Sequence, residues 1–237
     1  MVKHNAEFAF NASTLFVAAS RGYTSVVRGL VTRGADVNWA SPNDGRTPLY
    51  IASYKGHVEV VRILVERGAD INKAECDGWT PLSIASQEGR EEVVRVLVEK
   101  GADINKANND GYTPLFIASQ EGHVEVVRML VEKGADINKA MNDGATPLYI
   151  ASEKGHLEVV RVMVEKGADI NKAMNDGATP LFVASQNGHV EVVGVLVEKG
   201  ADINKAHNDG YTPLLIASQN GHVEVVGVMV EKGADIN

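Results

Sequence analysis

The stretch that decides the fold is residues 110–142, which read DGYTPLFIASQEGHVEVVRMLVEKGADINKAMN. The next 33 residues, 143–175, repeat this stretch with changes at 7 of the 33 positions. The opening Asp-Gly-x-Thr-Pro-Leu returns every 33 residues, at Asp44, Asp77, Asp110, Asp143, Asp176 and Asp209. A fixed period of this length is the signature of a protein built from stacked supersecondary units.

Each copy reads as two short helices, as the one that begins at Asp44 illustrates. Thr47 has a side-chain oxygen suited to capping a helix N-terminus, and Pro48 suits the first helical position, where no amide donor is needed. This first helix is expected to end near Gly56. A second helix is predicted by apolar residues at helical spacing, namely Val58, Val61, Leu64 and Val65.

The ends of the second helix carry signals of their own. Glu59 in its first turn and Arg67 in its last both favour the helix dipole. Gly68 suits the left-handed conformation that closes a helix. The pair Asp77-Gly78 is suited to a tight turn with a positive φ angle. Each copy is therefore predicted to be helix, turn, helix and hairpin-like loop.

Neither helix is long enough to be stable alone in water, so each copy must bury its apolar stripe against the next. The sequence therefore predicts an all-α solenoid of stacked helix-turn-helix repeats with hairpin loops, rather than two globular domains. The predicted order is an N-terminal capping repeat over 1–43, five internal repeats over 44–208 and a truncated C-terminal repeat over 209–237. The internal repeats are 44–76, 77–109, 110–142, 143–175 and 176–208.

Three recurring motifs resemble the ankyrin repeat. They are the Thr-Pro-Leu opening, the Gly-His-Val-Glu-Val-Val segment at 122–127 and the Gly-Ala-Asp-Ile-Asn ending, and the resemblance covers about residues 11–237. It implies an L-shaped unit of two antiparallel helices with a projecting β-hairpin loop. It also implies a curved array whose concave face, made of hairpins and first helices, binds other proteins.

At two framework positions, each compared as a column of equivalent residues through the successive repeats, the sequence departs from that family pattern. Ankyrin repeats usually carry His after Thr-Pro-Leu, bonded to the Thr hydroxyl, but here the column reads Tyr50, Ser83, Phe116, Tyr149, Phe182 and Leu215. Ser replaces the usual second Ala at Ser53, Ser86, Ser119, Ser152, Ser185 and Ser218. The departure removes the histidine that the family's bond network requires, and aromatic packing is the candidate substitute.

The composition narrows the class of partner. The formal net charge is −8, which argues against nucleic acid or an anionic membrane as the main partner, because both attract clustered positive charge. No apolar run approaches the length of a membrane span. The lone Cys76 cannot form an intramolecular disulfide. The first residues lack the apolar stretch of a secretory signal, so a cytoplasmic location is expected.

The residues that could carry chemistry belong to the repeated framework. His precedes the second helix in most copies, but one His per repeat does not converge on a metal ion, so a structural role at the helix entry is predicted. The sequence contains no phosphate-binding loop, nucleophile elbow or Cys/His nucleophile pair. We therefore expect no enzymatic activity, no cofactor and no metal site.

The columns that vary between repeats indicate where a partner protein binds. They are the residue after Asp-Gly, the end of the first helix and the loop before Asp-Gly, which the family resemblance places on the concave side. Exposed Trp, Tyr and Arg are the usual anchors of protein interfaces. The alternative is neutral drift on a solvated surface. The predicted partner-binding residues are Arg46, Tyr54, Trp79, Gln87, Glu88, Tyr112, Gln120 and Glu121.

One further column bears on stability. Arg follows Glu by three residues in four second helices, at Arg62, Arg95, Arg128 and Arg161. Each such pair stabilises a helix by a few tenths of a kcal/mol. In the last two repeats the column reads Gly194 and Gly227, and glycine inside a helix is unfavourable. The C-terminal repeats are therefore expected to unfold first.

The last repeat resembles an internal one, whereas the terminal unit of a solenoid needs a polar outer face. It keeps the apolar residues Val225, Val226, Met229 and Val230. Two explanations fit: the chain is a segment of a longer array, or its end packs against another molecule. The second explanation predicts end-to-end self-association through this repeat.

Three alternatives remain open for function. The chain could be the targeting or substrate-adaptor segment of a larger enzyme, or an engineered repeat protein with no natural partner. The family resemblance also implies a candidate asparagine hydroxylation, against which the following Lys counts. The matching residues are Asn72, Asn105, Asn138, Asn171 and Asn204.

Overall fold

The computed structural model describes residues 13–236, so residues 1–12 of the predicted capping repeat and Asn237 lie outside the described residues. Within this range the regular structure consists of fourteen helices in tandem pairs, with no strand. The predicted all-α, ankyrin-type solenoid is therefore confirmed. The described chain forms two compact units, one extending to Pro114 and the other beginning at Leu115.

The helices of the first unit alternate between the first and second helix of each pair. They are α1 over 13–20, α2 Thr24–Thr32, α3 Pro48–Lys55, α4 Val58–Glu66, α5 Pro81–Gln87 and α6 Glu91–Glu99. Inside this unit α3 packs against α5, and α2, α4 and α6 pack in succession. Each type of helix thus contacts its counterpart in the neighbouring repeat.

The second unit continues the alternation. Its helices are α7 Pro114–Gln120, α8 Val124–Glu132, α9 Pro147–Lys154, α10 Leu157–Glu165, α11 Pro180–Gln186, α12 Val190–Glu198, α13 Pro213–Gln219 and α14 Val223–Glu231. Helix α11 packs between α9 and α13, and the second helices α8, α10, α12 and α14 follow one another in contact. The stacking predicted from the period is therefore present inside each unit.

The first helices begin and end where the sequence predicts. The Thr47 hydroxyl oxygen accepts a hydrogen bond from the Tyr50 amide at 3.1 Å, and Pro48 occupies the first turn. Gly56 follows the helix with φ 78°, in the left-handed region that favours glycine. The same threonine cap recurs at Thr80, Thr146, Thr179 and Thr212.

The second helices follow the prediction with two corrections. Val61 and Leu64 of the predicted apolar stripe are buried, but Val58 and Val65 are only half-buried. Glu59 lies in the first turn of α4, but Arg67 is the C-cap residue rather than part of the last turn. Gly68 has φ 85° and closes the helix as expected. The buried side of α4 consists of Val60, Val61, Ile63 and Leu64.

The loops between helix pairs close as hairpins without forming strands in the described part of the chain. The Glu75 amide donates to the Trp79 carbonyl at 3.0 Å, which closes one loop. The Cys76 amide donates to the Asp44 carbonyl at 3.0 Å, which joins that loop to the preceding one. A second bond inside the same loop runs from the Gly78 amide to the Glu75 carbonyl at 3.0 Å, so the predicted hairpin-like shape rests on two short-range backbone bonds.

Five of the six serine hydroxyls at this position of the repeat donate to a carbonyl one turn earlier, and the one in α5 does not. In α3 the buried Ser53 hydroxyl donates to the Leu49 carbonyl at 2.8 Å, one turn earlier. In α5 the buried Ser86 hydroxyl has no partner among the described residues. There the hydroxyls of Thr80 and Ser83 lie 2.7 Å apart and share a hydrogen bond instead. This bond connects Thr to the column where the family usually has His.

The histidines act between repeats rather than as caps of their own helices. His57 provides no side-chain cap to α4, and its Nε2 lies 3.1 Å from the Ser20 carbonyl oxygen of the preceding repeat. His156, His189 and His222 make the same contact in the second unit, at 2.8 to 2.9 Å. The predicted structural role is thus present, but it links neighbours.

A core of leucines supports the stacking. Leu130 in α8 is 0% exposed, whereas Val131 beside it is half-buried. Burial of a leucine side chain contributes about 1.5–3 kcal/mol, and removing it leaves a cavity as well. Leu130 therefore belongs to the part of the structure that is sensitive to truncation.

We expect Leu130→Ala to lower the free energy of unfolding by about 2–5 kcal/mol, because the change removes buried methyl groups and leaves a void. A urea melt measures the loss, and Val131→Ala serves as the matched control with a smaller effect. A loss below about 1 kcal/mol for Leu130→Ala would contradict its place in the core.

The arginine column forms the ion pairs that the sequence indicates. The Arg Nε atoms lie 3.4–3.8 Å from the Glu carboxylates three residues earlier, at Arg62, Arg95, Arg128 and Arg161. At Gly194 and Gly227 a Cβ atom would meet nothing within 4 Å. Neither glycine has a positive φ angle. No steric reason therefore requires glycine at these two helical positions.

We expect Gly194→Ala to raise stability by about 1 kcal/mol, because alanine restricts the unfolded chain and has the higher helix propensity. Gly188→Ala is the matched control: Gly188 has φ 75°, and its Cβ would lie 2.5 Å from His222 Nδ1, so this change should destabilise. Native-state amide exchange should show α12 less protected than α8, and Gly194→Ala should narrow the difference. Equal protection in the wild type would contradict early unfolding of the C-terminal repeats.

Candidate protein-binding surface

Two aromatic side chains from successive hairpin loops of the first unit lie against each other. The rings of Trp79 and Tyr112 are stacked, with centroids 6.3 Å apart and planes inclined by 16°. Both residues are half-buried, so each keeps part of its surface exposed. The structure thus brings together two of the eight predicted binding residues.

A buried carboxylate fixes the loop that carries Trp79. Glu75 Oε1 accepts hydrogen bonds from the amides of Asp77 at 2.9 Å and Trp79 at 3.2 Å. The sequence placed Glu75 in a variable surface column, but the residue is buried. The physical reason is that the amides of a tight turn need acceptors, and this side chain supplies them.

Asn108 repeats this arrangement in the loop that carries Tyr112. Its Oδ1 accepts from the amides of Asp110 at 3.1 Å and Tyr112 at 2.9 Å. Asn108 is also buried, again contrary to its place in a variable surface column, and its Nδ2 has no partner among the described residues. Both aromatic residues are therefore held by a side chain four positions earlier.

Loops without an aromatic residue use a different acceptor. In the second unit Asp143 Oδ1 accepts from the Ala145 amide at 3.0 Å, and Asp176 Oδ1 accepts from the Ala178 amide at 2.9 Å. Here the position equivalent to Glu75 is methionine, at Met141 and Met174. A polar residue at this position thus occurs together with Trp or Tyr four residues later, whereas Met occurs together with Ala four residues later. This pairing of two columns is a sequence signal that could have identified Glu75 and Asn108.

Arg46 lies against a tyrosine that the prediction did not include. Its guanidinium carbon is 5.5 Å from the centroid of the Tyr50 ring, and its Nε is 3.4 Å from Asp44 Oδ2. Burial raises the pKa of Tyr50 to about 12, with Arg46 opposing and Glu75 adding to the shift. Tyr50 therefore stays neutral at physiological pH and offers its ring to the exposed Arg46.

The remaining predicted residues of the first unit lie at the ends of first helices. Tyr54 is half-buried, with the Lys55 ammonium 4.6 Å from its ring centroid. Its carbonyl accepts from Arg90 Nε at 3.1 Å. Gln87 and Glu88 are half-buried at the end of α5. All three therefore present part of their surface to solvent.

Gln120 and Glu121 lie in the second unit, at the end of α7. Gln120 is half-buried and Glu121 is exposed, and Gln120 Nε2 donates to Glu121 Oε1 at 3.1 Å. The Gln120 carbonyl accepts from His156 Nε2 at 2.8 Å, on the assignment of that nitrogen as the donor. The backbone of this pair is thus fixed by the next repeat, while the side chains face outward.

Three further features concern metal binding, membrane spans and the lone thiol in the described part of the chain. Residues 13–236 contain no group of three His, Cys, Asp or Glu side chains positioned to hold a metal ion. In the same range no helix has the length and apolar character needed to cross a membrane. Cys76 is an exposed free thiol at a loop tip.

The helix pairs, threonine caps and hairpin loops agree with a comparison to known protein families. A family model described as ankyrin repeats (3 copies) matches overlapping segments over residues 15–108, 68–141, 106–174, 138–207 and 171–237. This chain belongs to the ankyrin repeat family. Ankyrin repeats are general protein–protein interaction modules and are typically not enzymes. No curated protein matches the chain.

Proposed function

We propose that this ankyrin repeat protein is a non-enzymatic scaffold that binds a partner protein through its hairpin loops and first helices. The observation that carries the proposal is the stacked pair of Trp79 and Tyr112. Tryptophan and tyrosine are enriched among the residues that dominate binding energy at interfaces. Six of the eight predicted residues, including this pair, lie in the first unit.

The loops that carry the pair favour tight binding because they are fixed before a partner arrives. Trp79 and Tyr112 are each anchored through a backbone amide to a buried side chain. The Asn109 amide also donates to the Asp77 carbonyl at 3.0 Å, which joins the two loops. Binding to a preorganised surface loses less conformational entropy than binding that must order a loop.

We expect Trp79→Ala combined with Tyr112→Ala to weaken partner binding at least about tenfold, which corresponds to about 1.4 kcal/mol. Affinity purification with quantitative mass spectrometry identifies proteins that are retained by the wild type and lost by the double variant. Calorimetry with the purified candidate then measures the ratio of dissociation constants.

Arg62→Ala combined with Arg95→Ala is the control, because it removes two exposed side chains from second helices. The melting temperature of the aromatic variant should stay close to that of the wild type, since both rings are only half-buried. A collapse of the melting temperature would instead assign the rings to the core. Retention of every partner by the aromatic variant would contradict the proposal.

End-to-end self-association is a second proposal, supported by a groove of mixed polar and apolar lining that exposes large apolar side chains of the last repeat. The groove has a volume of about 570 Å³ and includes Leu215, Val230 and Ile236, which are 50%, 49% and 74% exposed. Exposed acidic residues Glu224, Glu231 and Asp235 belong to the same repeat. The first repeat exposes basic residues that could face them in a second copy, namely Arg21, Arg28 and Arg33.

We expect sedimentation velocity to show a concentration-dependent dimer that Val230→Glu converts to monomer, because the change places a charge beside the exposed apolar side chains of the groove. Glu165→Lys on α10 is the control, because Glu165 is an exposed residue outside the groove. A single monomeric species at high protein concentration would contradict self-association and would leave the Trp79 surface unaffected.

A further inference from the structure

The second unit contains a concavity that the sequence prediction did not include. It has a volume of about 310 Å³ and lies where the hairpin loops at 176–178 and 207–211 meet first helices. Three aromatic rings and two carboxylates are among its walls, together with one imidazole. They belong to Tyr149, Phe182, Tyr211, Asp176, Asp209 and His207.

His207 organises the polar side of this pocket. Its ring is stacked on Phe182, with centroids 5.3 Å apart and planes inclined by 22°. Its Nδ1 accepts a hydrogen bond from the Asp209 amide at 3.1 Å. In the neutral ring the proton is therefore on Nε2, which lies 3.5 Å from Asp176 Oδ2.

The same tautomer leaves Asp209 without a proton donor from the ring. Asp209 Oδ2 lies 3.4 Å from Nδ1, so two acceptors face each other. Within residues 13–236 the ion-pair contacts of Asp176 and Asp209 are to His207, and neither carboxylate is within 4.0 Å of a lysine or arginine nitrogen. The pocket therefore holds two carboxylates beside a single imidazole, without a lysine or arginine of the described chain paired to either carboxylate.

The surroundings strengthen this negative character. Residues 115–237 contain 17 Asp and Glu against 10 Lys and Arg, a formal net charge of −7, whereas residues 1–114 contain 14 against 13. Burial, followed by the charges of Glu153, Asp176 and Asp143, raises the pKa of Tyr149 to about 12. Tyr149 thus stays neutral and contributes a ring and a hydroxyl to the wall of the pocket.

The pocket depends on two substitutions in a single loop. In the preceding loop the positions of His207 and Tyr211 are occupied by Met174 and Ala178. Methionine offers no hydrogen bond of comparable strength, and alanine offers no ring. The combination of imidazole, added aromatic ring and paired carboxylates therefore occurs here and not one repeat earlier.

We propose that this pocket binds the guanidinium group of an arginine side chain presented by a basic segment of the partner protein. A guanidinium is planar, stacks on aromatic rings and donates N–H groups in a fork that matches carboxylates. Asp176 and Asp209 supply the acceptors, and the tyrosine rings supply the apolar faces. The inference rests on the proposed function, since it names the chemistry of the partner.

The test titrates the full chain, labelled with ¹⁵N, with the peptide acetyl-Gly-Gly-Arg-Gly-Gly-amide. Matched peptides with Gln or Lys in place of Arg are titrated in parallel. We expect saturable amide shifts centred on residues 207–211 with the Arg peptide, at least tenfold weaker binding of the Gln peptide and weaker binding of the Lys peptide.

Asp176→Asn combined with Asp209→Asn should weaken the Arg peptide at least tenfold. Asn keeps the Oδ1 acceptor that Asp176 offers to the Ala178 amide, so the loop should stay folded. The control is Asp169→Asn combined with Asp202→Asn, which removes the same charge from exposed turns outside the pocket and also keeps their Oδ1 acceptors. This control should change the affinity by less than twofold.

Three results would overturn the inference. The first is equal weakening by both Asn pairs, which would mean general charge attraction. The second is the absence of localised shifts with the Arg peptide. The third is equal binding of the Lys or Gln peptide. Loss of partner binding in the Trp79 and Tyr112 variant tests the proposed function separately, because those rings lie in the first unit and the peptide assay does not depend on them.

Discussion

Contact between neighbouring repeats is the interaction on which the rest of the structure depends. The helices that carry the repeats contain only 7 to 9 residues, well below the length at which an isolated helix is stable in water. Their leucines are buried only because the next pair covers them. Polar bonds then fix the register: Asn72 Oδ1 accepts from the Asp103 amide at 2.9 Å, and Asn171 Oδ1 accepts from the Asp202 amide at 2.8 Å.

The local features of the fold could be predicted from the sequence because they depend on nearby residues. Thr47 and Pro48 define a helix start, and Gly56 defines its end. Because the sequence repeats every 33 residues, the same helix start and helix end are expected in each repeat. The apolar spacing that predicts Leu64 on the buried side of its helix applies equally to Leu130, the same position two repeats later, and both side chains are fully buried. In each case the determining residues lie within one or two helical turns of each other.

The features that the sequence did not reveal involve a polar group whose partner is fixed by the folded loop. Glu75 and Asn108 read as drifting surface residues, because burial of a polar side chain depends on the amides that it meets. His57 read as a helix-entry residue, whereas its partner is a carbonyl 37 positions earlier. The pocket around His207 joins several variable columns that are informative only in combination.

The two units share the same repeat framework but differ in net charge and in the residues that surround their exposed aromatic rings. The first carries the Trp79–Tyr112 pair and is almost neutral by composition, whereas the second is acidic and has its aromatic rings around carboxylates. A common scaffold with separate chemical characters allows one chain to recognise two different features of a partner. Because the framework residues are nearly constant, these differences come from a few loop positions.

One feature of the framework constrains how such a chain can evolve. The glycine that ends a first helix leaves room for the imidazole of the following repeat: a Cβ on Gly155 would lie 2.7 Å from His189 Nδ1, and one on Gly122 would lie 2.8 Å from His156 Nδ1. The glycine and the histidine of each such contact therefore belong to different copies. A copy that has both residues contributes its glycine to the contact with the following copy and its histidine to the contact with the preceding copy. Recombination that inserts or deletes a whole 33-residue block between such copies preserves both contacts. One extra residue in a loop preserves the contact too, since Gly22 and His57 are 35 positions apart rather than 34 and a Cβ on Gly22 would still lie 2.7 Å from His57 Nδ1.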